Sequence, residues 1–85
     1  MTPLMKAEEV AARFAVRRET VYRLISRGLL TSPVKVTARA SRWPETEINA
    51  VIAARIAGKT DAQIKSLVQS LTKARQAADS PPSAA

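Results

Sequence analysis

The chain has no cysteine, no histidine, two glycines and three aromatic side chains in 85 residues. Without cysteine, neither a disulfide nor a thiolate metal site can reinforce the fold. Without histidine, the usual general base and the usual zinc ligand are missing. Seven carboxylates remain, most of them at helix starts or on exposed helical faces. This inventory argues against an enzyme and against a cofactor or metal site. No apolar run approaches the roughly 18 to 20 residues needed to span a bilayer, so no membrane partner is expected. The opening Met1-Thr-Pro-Leu-Met-Lys6 lacks the charged-then-apolar order of an export signal, and the expected location is the cytoplasm, at the nucleoid. Eighty-five residues support one small domain, with a stability on the order of 5 kcal/mol.

Positive charge is present, and it is unevenly placed. Of the net +7, residues 1–43 carry nine basic and three acidic side chains, and residues 44–85 carry five and four. The first half therefore holds +6 and the second +1. A one-sided excess fits the electrostatic footprint of a polyanion binder. A membrane surface would need a basic helix with a broad exposed apolar face, whereas the basic helix here needs its apolar residues for the core.

That helix lies in Val10-Ala-Ala-Arg-Phe-Ala-Val-Arg-Arg-Glu-Thr-Val-Tyr-Arg-Leu-Ile-Ser-Arg27. Ala7, Val10, Ala11 and Phe14 follow the i, i+3, i+4, i+7 spacing of one buried face, predicting a first helix over about Lys6 to Phe14. Glu8 and Glu9 lie in its first turn, where the helix dipole favours carboxylates. A second helix over about Arg18 to Arg27 buries Val21, Leu24 and Ile25, and Gly28 supplies its left-handed cap. Small Ala11 allows the two helices to approach closely, Ala15 occupies the turn, and Val16 is expected to plug the gap. The second helix keeps Arg18, Glu19, Tyr22, Arg23 and Arg27 off the core side. This is a helix-turn-helix whose second helix suits a DNA major groove.

Farther along, Val34 and Val36 alternate with Lys35 and Thr37 at period two, and Ser41-Arg42-Trp43 reads as the return strand, with Thr37 to Ala40 as the tip. A two-stranded hairpin is marginal alone, so Trp43 and Val36 are expected to pack on the helices, with Lys35, Arg39 and Arg42 outward on a wing. Pro44-Glu-Thr-Glu47 opens a third helix with an apolar stripe of Ile48, Val51, Ile52 and Ile56, stopped by Gly58. Thr60-Asp-Ala-Gln63 has the form of a capping box opening a fourth helix lined by Ile64, Leu67, Val68 and Leu71, which frays near Ala77. Two readings of this helix stand: packing on its own domain, or dimerisation through the a/d positions Ile64, Leu67, Leu71 and Ala74, which span barely two heptads. Residues 1–77 are thus read as one domain and 78–85 as a disordered tail.

The stretch Glu9 to Ile25, followed about 15 residues later by Ala40-Ser-Arg-Trp-Pro-Glu-Thr-Glu-Ile48, resembles the AlpA family. These are small regulators of phages and mobile elements in the MerR-like winged helix-turn-helix group, which includes excisionases. The resemblance covers roughly Leu4 to Ile56. It implies a mainly α fold: a winged helix-turn-helix with a two-stranded β-hairpin wing and two C-terminal helices. Carried over by position, it assigns base reading to Arg18, Glu19, Tyr22 and Arg23, phosphate contact to Arg17, Thr20 and Arg27, and action from the wing to Lys35, Arg39 and Arg42. The chain departs from the family pattern at two positions. Ala15 stands where the family usually has glycine, which at φ > 0 costs on the order of 1 kcal/mol. Arg17 stands where serine usually caps the second helix, which costs about as much unless a phosphate shares the site.

Bland readings compete at several positions. Glu19 either accepts from a cytosine amino group or only orients Arg23. Tyr22 either faces DNA or is half-buried under the wing, and Arg42 either meets a phosphate or rests against the third helix. Trp43 is read as core. The functional expectation is an excisionase, or recombination directionality factor, that binds and bends duplex DNA at an element's end to help an integrase excise it. Head-to-tail self-association along the DNA accompanies this reading. The alternatives are a transcriptional activator or repressor using the same surface, and, from another class, a protein-binding adaptor or anti-factor.

Overall fold

The computed structural model describes residues 3–78. Over that span the chain runs β1 (Leu4–Met5), α1 (Ala7–Phe14), α2 (Arg18–Ser26), β2 (Val34–Thr37), β3 (Ala40–Pro44), α3 (Glu45–Ile56) and α4 (Asp61–Ala78). It is a mainly helical, winged helix-turn-helix arrangement with a small antiparallel sheet. The tail expected from residue 78 falls, from Asp79 on, outside the described residues.

Helix ends explain much of the path. At the end of α1 the Ala15 N–H donates to the Ala12 carbonyl and the Val16 N–H to the Ala11 carbonyl, and Ala15 sits at φ 57° in the left-handed region. The same paired bonds close α2 at Gly28 and α3 at Gly58, both also at positive φ. Three helices thus end in a Schellman-type turn, but one of them places an alanine where a Cβ is disfavoured. The expected cost at Ala15 is real, because its condition on φ is met. At the other end of α1, the Lys6 N–H donates to Glu9 Oε1 at 2.9 Å. Lysine offers no acceptor, so only half of a capping box forms. The box at Thr60 and Gln63 is complete: each backbone N–H donates to the other's side chain, at 2.9 and 3.2 Å.

The core gathers Met5, Ala7, Val10, Ala11, Val21, Leu29, Leu30, Trp43, Ile48, Val51, Ile64 and Val68. Trp43 is fully buried, and its indole N–H donates to the Thr31 carbonyl at 2.9 Å. This bond pins the buried loop after α2 to the sheet. Ile64 and Val68 bring α4 back onto its own domain, with Leu67 and Leu71 half-buried beside them. Of the two readings of the fourth helix, internal packing is the one observed within this chain.

The structure corrects four expectations. The wing is not a lone hairpin: β1 pairs with β3 (Leu4 opposite Pro44, Met5 opposite Trp43), giving a three-stranded sheet in the order β1-β3-β2. A two-residue strand carries too little periodicity to be seen in the sequence. Val36 is 55% exposed rather than packed on the helices. The register slips between Lys35 and Thr37, so Val36 falls at a bulge on an edge strand and the inward-outward alternation breaks there. Val16 is likewise exposed, because its backbone N–H, not its side chain, seals the end of α1. Ile56 is 82% exposed. At about 100° per residue it lies well over 90° around α3 from the buried Glu47–Ile48–Val51 face, and Ile52 between them is half-buried.

Candidate nucleic-acid interface

The α2 helix divides its residues cleanly. Val21 is fully buried, while Thr20, Leu24 and Ile25 are half-buried on the same side. At about 100° per residue, the opposite side centres on Glu19, Tyr22, Arg23 and Ser26, with Arg18 and Arg27 along its two edges. Arg17, Arg18, Glu19, Tyr22, Arg23 and Arg27 are all exposed. Ser26 was not singled out in the sequence, although the helical wheel alone puts it on this face.

The first turn of α2 has no side-chain cap. Arg17 takes the N-cap position in extended geometry without a side-chain hydrogen bond, and its carbonyl accepts the Thr20 and Val21 N–H groups. The preceding N–H groups of α2 thus face outward beside an exposed guanidinium, where the helix dipole is positive.

The wing meets α2 along one seam. Tyr22 and Trp43 pack edge to face, with ring centroids 6.2 Å apart and planes at 63°. Trp43 is held by the core, so it fixes Tyr22 from behind while the tyrosine stays 44% exposed. Tyr22 therefore lies against the wing without being covered by it. Arg42 is half-buried, and its guanidinium donates to the neighbouring Ser41 carbonyl at 2.9 Å rather than to α3. Arg39, in the two-residue turn between β2 and β3, is exposed, and its N–H donates to Thr37 Oγ1 at 3.3 Å.

Between the start of α1, α2 and the wing lies a cleft of about 410 Å³ lined by Lys6, Ala7, Glu8, Arg18, Tyr22, Arg39, Ser41 and Arg42. Four of the residues singled out in the sequence (Arg18, Tyr22, Arg39 and Arg42) thus come together in one polar recess. Lys35 is exposed on β2 and stands outside this lining, Arg17, Glu19, Arg23 and Arg27 extend the surface along α2, and Thr20, expected at a phosphate, is instead half-buried toward the core side of the helix. Lys6 and Ser41 enter the cleft without having been picked out. The signal for Lys6 was its place just ahead of a helix whose other end feeds the turn.

The match to known proteins agrees with this layout. A family model described as a helix-turn-helix domain matches residues 4–56, more than half of the chain. The chain belongs to the helix-turn-helix domain family. As a helix-turn-helix protein it is a DNA-binding protein, from a family that is typically not enzymatic. The matched span ends with α3, so α4 lies beyond it. No curated protein and no solved structure matches the chain. Among the described residues, no helix is long and apolar enough to cross a membrane.

Proposed function

We propose that this helix-turn-helix protein is an excisionase, a recombination directionality factor that binds and bends the end of a mobile element so that an integrase excises it. The observation that carries the reading is the exposed side of α2 and the adjoining wing: Arg18, Arg39 and Arg42 line one cleft, and Arg17, Arg23 and Arg27 stand exposed along α2. In this reading Arg18, Glu19, Tyr22 and Arg23 read bases in the major groove, and Arg17 and Arg27 contact phosphates. Lys35, Arg39 and Arg42 work from the wing. The Ser41-Arg-Trp-Pro44 element, similar to that of AlpA-like proteins of the MerR-like group, supports the mobile-element assignment. Bending a site of 20–30 base pairs costs roughly 1–6 kcal/mol, a cost that several small subunits associating head to tail along the DNA can share. The protein would act in the cytoplasm, on nucleoid DNA.

The test is an excision assay with the element's own integrase. Addition of the protein is expected to raise excision product and to protect consecutive, phased patches of the element end. Unchanged product sinks the directionality role and leaves the same surface to transcriptional control, for which a single protected operator is expected. Affinity is expected to fall on the order of a thousandfold between 50 and 200 mM salt if about six phosphates are neutralised. A flat salt response combined with tight binding to an acidic protein partner would instead favour the adaptor reading.

A further inference from the structure

The one acidic side chain in the cleft is Glu8. Its Oε1 lies 3.7 Å from the Arg18 guanidinium, with both side chains well exposed. Among the described residues this is the only carboxylate within 4.0 Å of an α2 or wing arginine. Glu8 belongs to α1 and Arg18 to α2, so the contact exists only because the helix-turn-helix brings them together. Around it stand Lys6, Arg39 and Arg42 with the Ser41 side chain, a set of donors with one internal anion among them. Arginine forks suit both carboxylate and phosphate oxygens, and either can take the same place beside Arg18.

We infer that the cleft is a seat for one backbone phosphodiester of the duplex, which assigns Arg18 to phosphate contact and leaves base reading to Glu19, Tyr22 and Arg23, and that Glu8 stands beside Arg18 in the free protein as an internal competitor. The inference rests on the DNA-binding reading of this face and deepens it. Lys6, Arg39, Arg42 and Ser41 supply the sequence-independent part of the contact. Glu8 raises the threshold for it: a phosphate must displace the carboxylate from Arg18 before that arginine can neutralise it. Loose binding to any duplex is thereby weakened at this position, while a site that also satisfies α2 in the major groove can offset the loss.

Glu8→Gln keeps size and polarity and removes the charge. Because the side chain is exposed, the variant is expected to melt as the parent does, which circular dichroism checks. Titrated against a random-sequence duplex at about 0.1 M salt, it is expected to bind roughly three- to tenfold tighter, with a slope of log affinity against log salt steeper by up to about 0.9, the worth of one more neutralised phosphate. Glu9→Gln is the control: it removes the same charge one residue away and keeps an acceptor for the Lys6 N–H. It is expected to bind within about twofold of the parent, because a charge that does not pair with the seat acts only through screened distance. Equal gains from both variants, or no gain from Glu8→Gln while the parent binds DNA, overturn the competitor and leave the DNA-binding reading intact. A parent protein that binds no duplex removes that reading, and the inference with it.

Discussion

The two sides of this molecule use arginine in opposite ways. Outside the wing cleft, Arg75 of α4 grips Glu47 of α3 through two bonds of 2.6 and 2.7 Å and also donates to the Ser32 carbonyl at 2.7 Å. Glu47 is almost wholly buried there, and Arg75 largely so. Arg13 similarly ties the end of α1 to Asn49 and Glu45 of α3, at 2.7 and 3.1 Å. On the α2 side, Arg17, Arg23, Arg27 and Arg39 have no carboxylate within 4.0 Å among the described residues. The residue type is the same, but its use is set by whether the fold delivers an anion. At Arg75 the delivered carboxylate draws the charge out of water and locks α4 to α3, and at Arg13 it links α1 to α3 while the pair stays open to solvent. Where the fold delivers none, the charge stays in solvent, available to an anion from outside.

The comparison breaks most sharply if exposed arginines of α2 are removed. The double substitution Arg18→Ala with Arg23→Ala is expected to weaken binding to the native target on the order of a hundredfold, since Arg23 loses a base contact that contributes roughly 1–3 kcal/mol and Arg18 a phosphate contact, and to leave melting unchanged. Untouched affinity in a variant that still melts cooperatively would show that this face does not meet DNA. On the other side, Arg75→Ala is expected to cost about 2–3 kcal/mol of stability, read by urea denaturation, because Glu47 is left buried without its partner. In a domain stabilised by roughly 5 kcal/mol that is a large share. Its DNA affinity, measured at a temperature where it remains folded, is expected to hold. A loss of affinity without a loss of stability would reverse the division of labour. The smallest expected effect comes from Ala15→Gly. Relieving the left-handed alanine should stabilise the protein by about 0.5–1 kcal/mol and raise Tm by a few degrees, with no change in DNA binding. A lower Tm would mean that the turn tolerates a Cβ without strain.

Much of the helical plan was legible because it rests on local rules. The periodicity of Ala7, Val10 and Ala11, the glycine stops at Gly28 and Gly58, and the Thr60–Gln63 box all appear in the structure within a residue or so of where the chain signals them. The exposed side of α2 was legible for the same reason. What failed was non-local or lay at the margin of a pattern. Met5 is buried only because β1 finds β3 across nearly forty residues, and Val36 lost its place to a bulge. Ile56 continued an apolar stripe that had already rotated off the packed face. Glu47 read as an ordinary helix-start carboxylate, since nothing near it in the chain points to Arg75.

The order of amino acids alone determined where helices begin and end, which half carries the positive charge, and which side chains of α2 cannot be core, because each follows from contacts within a few residues. Only the tertiary structure decided which arginines find an anion, that Lys6 and Glu8 join Arg18, Arg39 and Arg42 around one cleft, and that Trp43 backs Tyr22. Those outcomes depend on segments far apart in sequence arriving at the same place, and an isolated side chain carries no record of its eventual neighbours.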